Sequence, residues 1–198
     1  MKIAINGFGR IGRLTFRNLF DRKDVEIVAL NDLTDPEKLA NLLKYDSAHR
    51  TYQKEISFDD EHIIVDGKAI PLYKEMEAKN LPWKKLGVDV VAECSGHYRT
   101  KEKAMQHVEA GAKRVVISAP ATRDIKTIVL GVNEKDITAD DIIISNASCT
   151  TNCLAPMAKL MHENFEIEKG YINTVHAYTA DQMLQDSPHK DMRRARAA

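Results

Sequence analysis

Residues 145–153 carry the side chains best suited to covalent chemistry. They follow an apolar run, 142–144, that predicts a strand, and they precede a pattern over 154–164 that predicts a helix. Cys149 is therefore expected at or near the first turn of a helix, where free N–H groups and the helix dipole favour a thiolate. Because the thiolate is the nucleophilic form of cysteine, the segment predicts a reactive Cys149.

Two other interpretations of Cys149 stay open on the residues alone. A cysteine is often an inert, buried apolar side chain. Cys149 and Cys153 also stand four residues apart, as in some metal sites, although no second Cys or His pair has ligand spacing, so no metal is expected. Short polar side chains around the thiol could cap the helix and donate hydrogen bonds to the sulfur: Ser148, Thr150, Thr151 and Asn152.

The composition of the 198-residue chain is that of an ordinary globular protein, with 43% hydrophobic and 29% charged residues. It holds 29 basic and 29 acidic residues, so no charge excess favours nucleic acid or a membrane surface. Three cysteines do not make a disulfide framework. With no signal peptide and no apolar run that could span a bilayer, a cytoplasmic location is expected.

The chain begins with a strand-like run, 2–6, followed by a glycine-rich turn and a helical pattern. In that context Gly7 allows a tight turn, Gly9 lets the backbone approach a pyrophosphate, and Gly12 allows the helix to pack closely on the strand. The start of the helix would then face the phosphates. This pattern predicts a dinucleotide site.

Asp32 stands 20 residues after Gly12, at the end of a second strand-like run, 25–30. An acidic residue there binds the ribose hydroxyls of the adenosine half and repels a 2′-phosphate, which favours NAD over NADP. The alternative is that Asp32 only opens the turn into the next helix.

The remaining pattern predicts an α/β fold with a parallel sheet of Rossmann type. Residues 51–73 alternate in short runs with an Asp66-Gly67 turn, which predicts an antiparallel insertion. Further strands are expected at 88–94, 114–118, 127–131 and 142–146. Since ligands gather at the carboxyl ends of parallel strands, one crevice should hold the cofactor and the thiol. The side chains expected there are Asp32, Ser95, Ser118 and Cys149, and Gly96 could also contact the cofactor.

Two features near the end of the chain complete the candidate set. Residues 170–179 predict a strand, and alternation would place Ile172, Thr174, His176 and Tyr178 on one face. Beside a nucleophilic cysteine, His176 becomes a candidate base, although a structural histidine is the common alternative. Arg193, Arg194 and Arg196 could bind phosphate, but the residues alone favour a solvated or subunit-facing surface.

Three motifs together resemble phosphorylating glyceraldehyde-3-phosphate dehydrogenase. They are Asn6-Gly7-Phe8-Gly9-Arg10-Ile11-Gly12-Arg13, Ala147-Ser148-Cys149-Thr150-Thr151-Asn152-Cys153-Leu154-Ala155-Pro156 and Thr174-Val175-His176-Ala177-Tyr178-Thr179. The resemblance runs from Met1 to Ala198. It implies a Rossmann-type, doubly wound NAD-binding domain at 1–148 and the beginning of an α+β catalytic domain at 149–198, in a family whose chains continue beyond Ala198.

The resemblance also implies roles for matching residues. Cys149 would be the nucleophile, and His176 would activate it and take a proton during hydride transfer. Cofactor contacts would come from Arg10, Ile11, Asp32 and Ser118. The substrate or its phosphate would be held by Ser148, Thr150, Thr179 and Arg194. Two places depart from the family pattern. Many relatives carry arginine beside the adenine where this chain has Met76, and His97-Tyr98 also differs.

The implied function is glycolytic: glyceraldehyde 3-phosphate, inorganic phosphate and NAD would give 1,3-bisphosphoglycerate and NADH through a cysteine thioester. The implied assembly is a homotetramer, with no nucleic-acid or membrane partner. Two alternatives remain, an NAD-binding module without catalysis and erythrose-4-phosphate dehydrogenase. The 198 residues alone are not expected to be active.

Overall fold

A single sheet of nine strands organises the part of the chain that the structure, a computed structural model, describes: residues 1–179 and 182–196. The strands are β1 (Lys2–Asn6), β2 (Glu26–Asn31), β3 (Ile56–Phe58), β4 (His62–Val65), β5 (Lys68–Tyr73), β6 (Val90–Glu93), β7 (Arg114–Ile117), β8 (Lys126–Thr127) and β9 (Ile143–Ser145). The helices are α1 (Arg10–Leu19), α2 (Pro36–Lys44), α3 (Trp83–Leu86), α4 (Lys101–Glu109) and α5 (Cys149–Phe165). By its contacts the chain forms two compact units, Met1–Leu160 and Met161–Ala198.

The strand order is β3-β4-β5-β2-β1-β6-β7-β9-β8. From β5 to β8 all neighbours are parallel, whereas β3, β4 and β5 pair antiparallel. From β1 the chain adds β2 on one side of the sheet and later returns to add β6 on the other side. The strand order therefore reverses between β1 and β6, and such a reversal leaves a crevice at the carboxyl ends of the strands. The predicted Rossmann-type fold, with its antiparallel insertion, is confirmed.

The two faces of the sheet carry different side chains because successive residues of a strand point in opposite directions. On one face Ile3 and Ile5 pack with Phe16 of α1 and Leu39 of α2. On the other face the small side chains of β1 and β2, Ala4 and Ala29, join the core that contains Trp83. Trp83 is fully buried within this core.

The predicted strand over 127–131 is mostly wrong, because β8 ends at Thr127. The Val129 N–H donates to the Asn133 side chain over 2.8 Å, and Gly131 turns the chain with a φ of +83°. These interactions take the backbone out of the sheet before a longer strand can form.

Residues 170–179 form no strand, contrary to the alternation of their sequence. A strand needs a neighbour for its N–H and C=O groups, and the described residues of the unit Met161–Ala198 include no strand. Ile172, Thr174, His176 and Tyr178 are all exposed. Asp181 and Ala198, at the two ends of the arginine-rich tail, lie outside the described residues.

The predicted helix after the cysteine is present, but the apolar side chains whose spacing predicts it, Leu154, Met157, Met161 and Phe165, do not form a buried face. Leu154 is half-buried, whereas Met157 is 54% and Phe165 is 74% exposed, and Met161 is exposed as well. The spacing of apolar side chains defines a helix face, but burial also requires a surface that covers it. No residue of α5 is fully buried.

Candidate functional site

A cleft of about 530 Å³ lies at the carboxyl ends of β1, β2 and β6, where the strand order reverses. Its lining includes four residues of the predicted dinucleotide site: Gly7, Gly9, Asp32 and Ser95. The volume lies within the range of small-molecule sites. The position is therefore the one that the parallel topology favours for a ligand.

The glycines after β1 bring three segments close together. Gly7 has a φ of +86°, and a Cβ placed on it would lie 2.4 Å from the Ser95 nitrogen. A Cβ on Gly12 would lie 2.1 Å from the Gly7 oxygen, so α1 and the turn touch through their backbones. At Gly9 no atom lies within 4 Å of such a Cβ. Gly9 therefore leaves an open approach to the backbone on the side of the cleft.

The start of α1 is suited to an anion. Gly9 occupies the N-cap position without a side-chain hydrogen bond, and the first turn holds no acidic residue. The first N–H groups of a helix have no partner inside the helix, so they can donate to a phosphate. Arg10 and Ile11 are exposed in this turn, whereas Gly12 is buried.

Asp32 connects the end of β2 to the glycine turn. One carboxylate oxygen accepts the Phe8 N–H over 2.7 Å, and the other accepts the Thr34 N–H over 2.9 Å. These bonds hold the carboxylate beside the cleft, and each oxygen keeps acceptor capacity for a ribose hydroxyl. Asp32 also opens the next turn, because its carboxylate accepts the N–H of Thr34 two residues later.

The far wall of the cleft includes the departures from the family pattern. Met76, His97 and Tyr98 line it together with Glu75. The Tyr98 hydroxyl donates to the Met76 carbonyl over 2.7 Å and accepts the Ala78 N–H over 3.0 Å. The tyrosine thus fixes the loop after β5 against the segment after β6.

Ser118 and Gly96 also follow strand ends. Gly96 has a φ of +77° beside Ser95, and Ser118 is half-buried after β7, where its N–H donates to the Glu93 carbonyl over 2.9 Å. Among the described residues, the cleft lining includes Asp32 and Ser95 but neither Ser118 nor Cys149. All four residues thus follow the carboxyl ends of parallel strands, but only Asp32 and Ser95 line the cleft.

Cys94 lines the cleft but is unsuited to nucleophilic chemistry. Burial raises the pKa of its thiol to about 11, and a hydrogen bond with Ser118 only partly opposes this effect. A thiol with so high a pKa is almost entirely protonated at neutral pH.

Cys149 is the first residue of α5 and is exposed. Ser148 caps the helix, since its hydroxyl accepts the Thr151 N–H over 3.0 Å. The Asn152 amide donates to the carbonyls of Asn146 and Ser148 over 2.7 and 2.9 Å. The predicted helix start at the cysteine is confirmed. Of its polar neighbours, Ser148 forms the cap and Asn152 holds the turn through hydrogen bonds to backbone carbonyls.

The turn before Cys149 is held in an unusual conformation. Ala147 is buried with a φ of +60°, a region that alanine rarely adopts. Its N–H donates to the Ser145 hydroxyl, which itself donates to the Ala119 carbonyl over 2.8 Å. The strand β9 therefore passes directly into α5 through a sharp turn that presents Cys149 at the surface.

Three further predicted residues, His176, Thr179 and Arg194, belong to the unit Met161–Ala198. His176 is exposed, and its Nδ1 contacts the Ala177 carbonyl oxygen. Thr179 is half-buried, and its N–H donates to the Gln182 side chain over 2.8 Å. Arg194 is exposed, and its backbone N–H donates to the Asp191 carbonyl over 3.1 Å.

Sequence reasoning missed the buried polar side chains that support the cleft. Asn6, Asn31, Glu93 and His107 are buried and hydrogen-bonded to one another in series. The available signal was a charged or amide side chain at the end of each of three apolar strands, together with a histidine in α4. Their pairing could not be read from the sequence, because Asn6 and Glu93 are 87 positions apart.

Comparison with known proteins decides the family. The family model described as glyceraldehyde 3-phosphate dehydrogenase, NAD binding domain, matches residues 1–101, more than half of the chain. The chain belongs to the glyceraldehyde 3-phosphate dehydrogenase family. The model of this family's C-terminal domain matches residues 148–198. These matches confirm the resemblance of the three motifs, and the description of the first model agrees with NAD as the predicted cofactor.

Curated relatives from distant bacteria carry the same name, glyceraldehyde-3-phosphate dehydrogenase. The chain is 55% identical to the protein of Mycoplasma pneumoniae, 57% to that of Borreliella burgdorferi and 52% to that of Thermotoga maritima. Each comparison covers 100% of this chain but 59%, 60% and 60% of the relative, respectively. The chain thus spans about 60% of the length of these relatives.

Two kinds of feature are absent from the described residues. No helix there is both long and apolar enough to cross a membrane. No group of three or more histidine, cysteine, aspartate or glutamate side chains is arranged to hold a metal ion in the same part of the chain.

Proposed function

We propose that this chain binds NAD and contributes to the phosphorylating oxidation of glyceraldehyde 3-phosphate. The observation that supports this function most strongly is the start of α5, where an exposed Cys149 follows a capped, sharply turned strand end. Family membership supports the same reaction. We further propose a division at 148/149 into cofactor and catalytic domains, a homotetramer and a cytoplasmic location.

The residues of the cleft fit the two chemical ends of an adenosine diphosphate group. The backbone at Gly9 and the first turn of α1, with Arg10 and Ile11, would hold the pyrophosphate, while Asp32 would accept the ribose hydroxyls. Gly7, Gly12, Ser95, Gly96 and Ser118 would shape or contact the remaining cofactor surface. When bound, NAD would supply the acceptor for a hydride.

Cys149 would provide the nucleophile. Its thiolate would attack the aldehyde carbon and form a carbon–sulfur bond, which gives a hemithioacetal. His176 would accept the hydroxyl proton as the hydride leaves that carbon, which gives a thioester. Inorganic phosphate would then attack the thioester carbon, release 1,3-bisphosphoglycerate and restore the thiolate. We propose that Ser148, Thr150, Thr179 and Arg194 hold the substrate or its phosphate.

The test is formation of NADH from NAD, phosphate and glyceraldehyde 3-phosphate, followed by absorbance, with both this chain and a chain of the length of its relatives. We expect activity from the longer chain. Replacement of Cys149 by Ser should lower its kcat at least about a thousandfold while NAD affinity is retained, since an alcohol is a far weaker nucleophile than a thiolate. Cys153→Ser is the matched control because Cys153 is also exposed on α5.

Three results would contradict the proposal. Undiminished turnover by Cys149→Ser would exclude Cys149 as nucleophile. NAD binding without turnover in the longer wild-type chain would favour a binding module. Faster turnover of erythrose 4-phosphate than of glyceraldehyde 3-phosphate would assign the related dehydrogenase activity instead.

A further inference from the structure

A series of buried polar side chains connects α3 and α4 to the floor of the cleft. Its members are Trp83, His107, Glu93, Asn6 and Asn31, and the last two line the cleft itself. The side chains of Glu93 and His107 are 0% exposed. A buried polar group is costly unless it is hydrogen-bonded, so the direction of each bond in this series matters.

At the end of the series formed by Asn31 and Asn6, backbone groups fix which atoms donate and which accept. The Glu75 N–H donates to Asn31 Oδ1 over 2.9 Å, and Asn31 Nδ2 donates to the Glu75 carbonyl over 2.9 Å. This pair leaves only one orientation for the Asn31 amide. Asn31 Nδ2 also donates to Asn6 Oδ1 over 2.7 Å. Asn6 must therefore direct its own Nδ2 toward Glu93 Oε2, as observed.

At the other end of the series, an indole fixes the direction. Trp83 Nε1 can only donate, and it donates to His107 Nδ1 over 3.1 Å. His107 Nδ1 must then be an acceptor, so the ring carries its proton on Nε2. That Nε2–H donates to Glu93 Oε2 over 3.0 Å. The other neutral tautomer, with the proton on Nδ1, would place that N–H against the Trp83 N–H.

Both ends of the series therefore lead to the same side chain. Glu93 Oε2 accepts from Asn6 and His107, while Oε1 accepts the Ser95 N–H over 2.7 Å and the Ser95 hydroxyl. With all four groups donating, Glu93 accepts hydrogen bonds at both of its oxygens, as a carboxylate does. Reversing the amide of Asn6 or Asn31, or moving the His107 proton to Nδ1, would place one donor against another.

We propose that Glu93 is a positioning residue for the nucleotide cleft. Its carboxylate holds the turn at Ser95 directly, and it holds the loop at Glu75 through Asn6 and Asn31. Ser95 and Glu75 both line the cleft, so one buried charge fixes two parts of its wall. This inference rests on the proposed NAD binding, in which Glu93 itself would touch no cofactor atom.

Replacement of Glu93 by Gln keeps the shape of the side chain but cannot keep all four bonds. With the amide oxygen toward Asn6 and His107, the amide nitrogen faces the Ser95 N–H. With the opposite orientation, it faces the donors of both Asn6 and His107. The first orientation breaks fewer bonds, so the turn at Ser95 is the segment that we expect to loosen most.

The experiment measures amide hydrogen exchange by NMR without cofactor, and NAD affinity by calorimetry, in the wild-type chain and in Glu93→Gln. We expect the Ser95 amide to exchange at least about tenfold faster and the Kd for NAD to rise about tenfold, the effect of one charge-assisted hydrogen bond. Glu26→Gln is the matched control. Glu26 is exposed at the amino end of β2, whereas the cleft lies at the carboxyl ends of the strands.

The outcomes separate this inference from the proposed function. If Glu93→Gln binds NAD as tightly as the wild type, or if its Ser95 amide keeps wild-type exchange, the positioning role is overturned while NAD binding stands. If the wild type binds no NAD, the proposed function falls whatever the exchange rates. If Glu93→Gln does not fold, wild-type exchange decides: protection of the Ser95 and Glu75 amides supports the role, and rates of an unstructured loop overturn it.

Discussion

At the scale of single residues, the two side chains that matter most to the cleft act through backbone groups. Asp32 accepts the N–H groups of Phe8 and Thr34, and Glu93 accepts that of Ser95. A carboxylate placed in this way both shapes the cleft and gives it negative charge. In the proposed binding mode the Asp32 charge would lie beside the adenosine ribose, so we expect this residue to set the cofactor preference.

Replacement of Asp32 by Ala should weaken NAD about tenfold and narrow the preference for NAD over NADP by a similar factor. The variant loses acceptors for the ribose hydroxyls, and it no longer repels a 2′-phosphate. Calorimetric Kd values for both cofactors provide the measurement. Asp35→Ala is the control, since Asp35 is exposed and pairs with Lys38 and Lys74. An unchanged ratio of the two Kd values would exclude the ribose role.

At the scale of elements, the contact between β1 and α1 depends on glycines that serve different purposes. Gly12 is required for packing, because a Cβ there would lie 2.1 Å from a backbone oxygen. Gly9 has an ordinary φ of −72° and open space around its would-be Cβ. The same sequence motif therefore contains a residue that the fold needs and one that only a ligand would need.

Two alanine substitutions should separate these purposes. Gly12→Ala should lower the free energy of unfolding by about 1–3 kcal/mol, because α1 must move away from the turn. Gly9→Ala should leave stability within about 1 kcal/mol of the wild type but weaken NAD several-fold, because the methyl group occupies the approach to the backbone. Urea unfolding and calorimetry measure the two effects. Equal loss of stability in both variants would contradict this distinction.

At the scale of the whole molecule, the chain carries no net charge, and many of its acidic side chains accept hydrogen bonds from nearby groups. Several aspartates have lowered pKa values because neighbouring cations or N–H groups donate to them: Asp24, Asp35, Asp66, Asp89 and Asp141. For Asp141, hydrogen bonds from Lys126 and Thr138 lower the pKa from 3.8 to about 2.

Stability should therefore fall as the pH drops from about 4 to about 2. In this window the unfolded chain takes up protons at carboxylates that the folded chain keeps ionised, so protonation favours unfolding. Denaturant midpoints measured at successive pH values provide the test. Asp141→Asn should show a shallower decline, and Asp60→Asn, at an exposed carboxylate, controls for loss of charge. A midpoint that does not change across this window would contradict the prediction.

The sequence alone determined the features whose geometry is local. A glycine at a positive φ, a pair such as Asp66-Gly67 with φ values of 48° and 78°, and a helix that begins at Cys149 depend on residues near one another in the chain. The hydrophobic pattern likewise predicted the antiparallel insertion and the parallel strands other than β8. Local sterics and hydrogen bonds set these features, so their signals survive in the sequence.

Only the tertiary structure decided which distant residues meet and which faces are covered. Asn6 meets Glu93 because β1 and β6 are neighbours, a pairing set by the topology of the whole sheet. The apolar face of α5 and the alternating residues 170–179 carry patterns typical of buried elements, yet they are exposed. Periodicity records what an element can bury or pair with, whereas burial and pairing themselves require a partner surface that only the folded chain supplies.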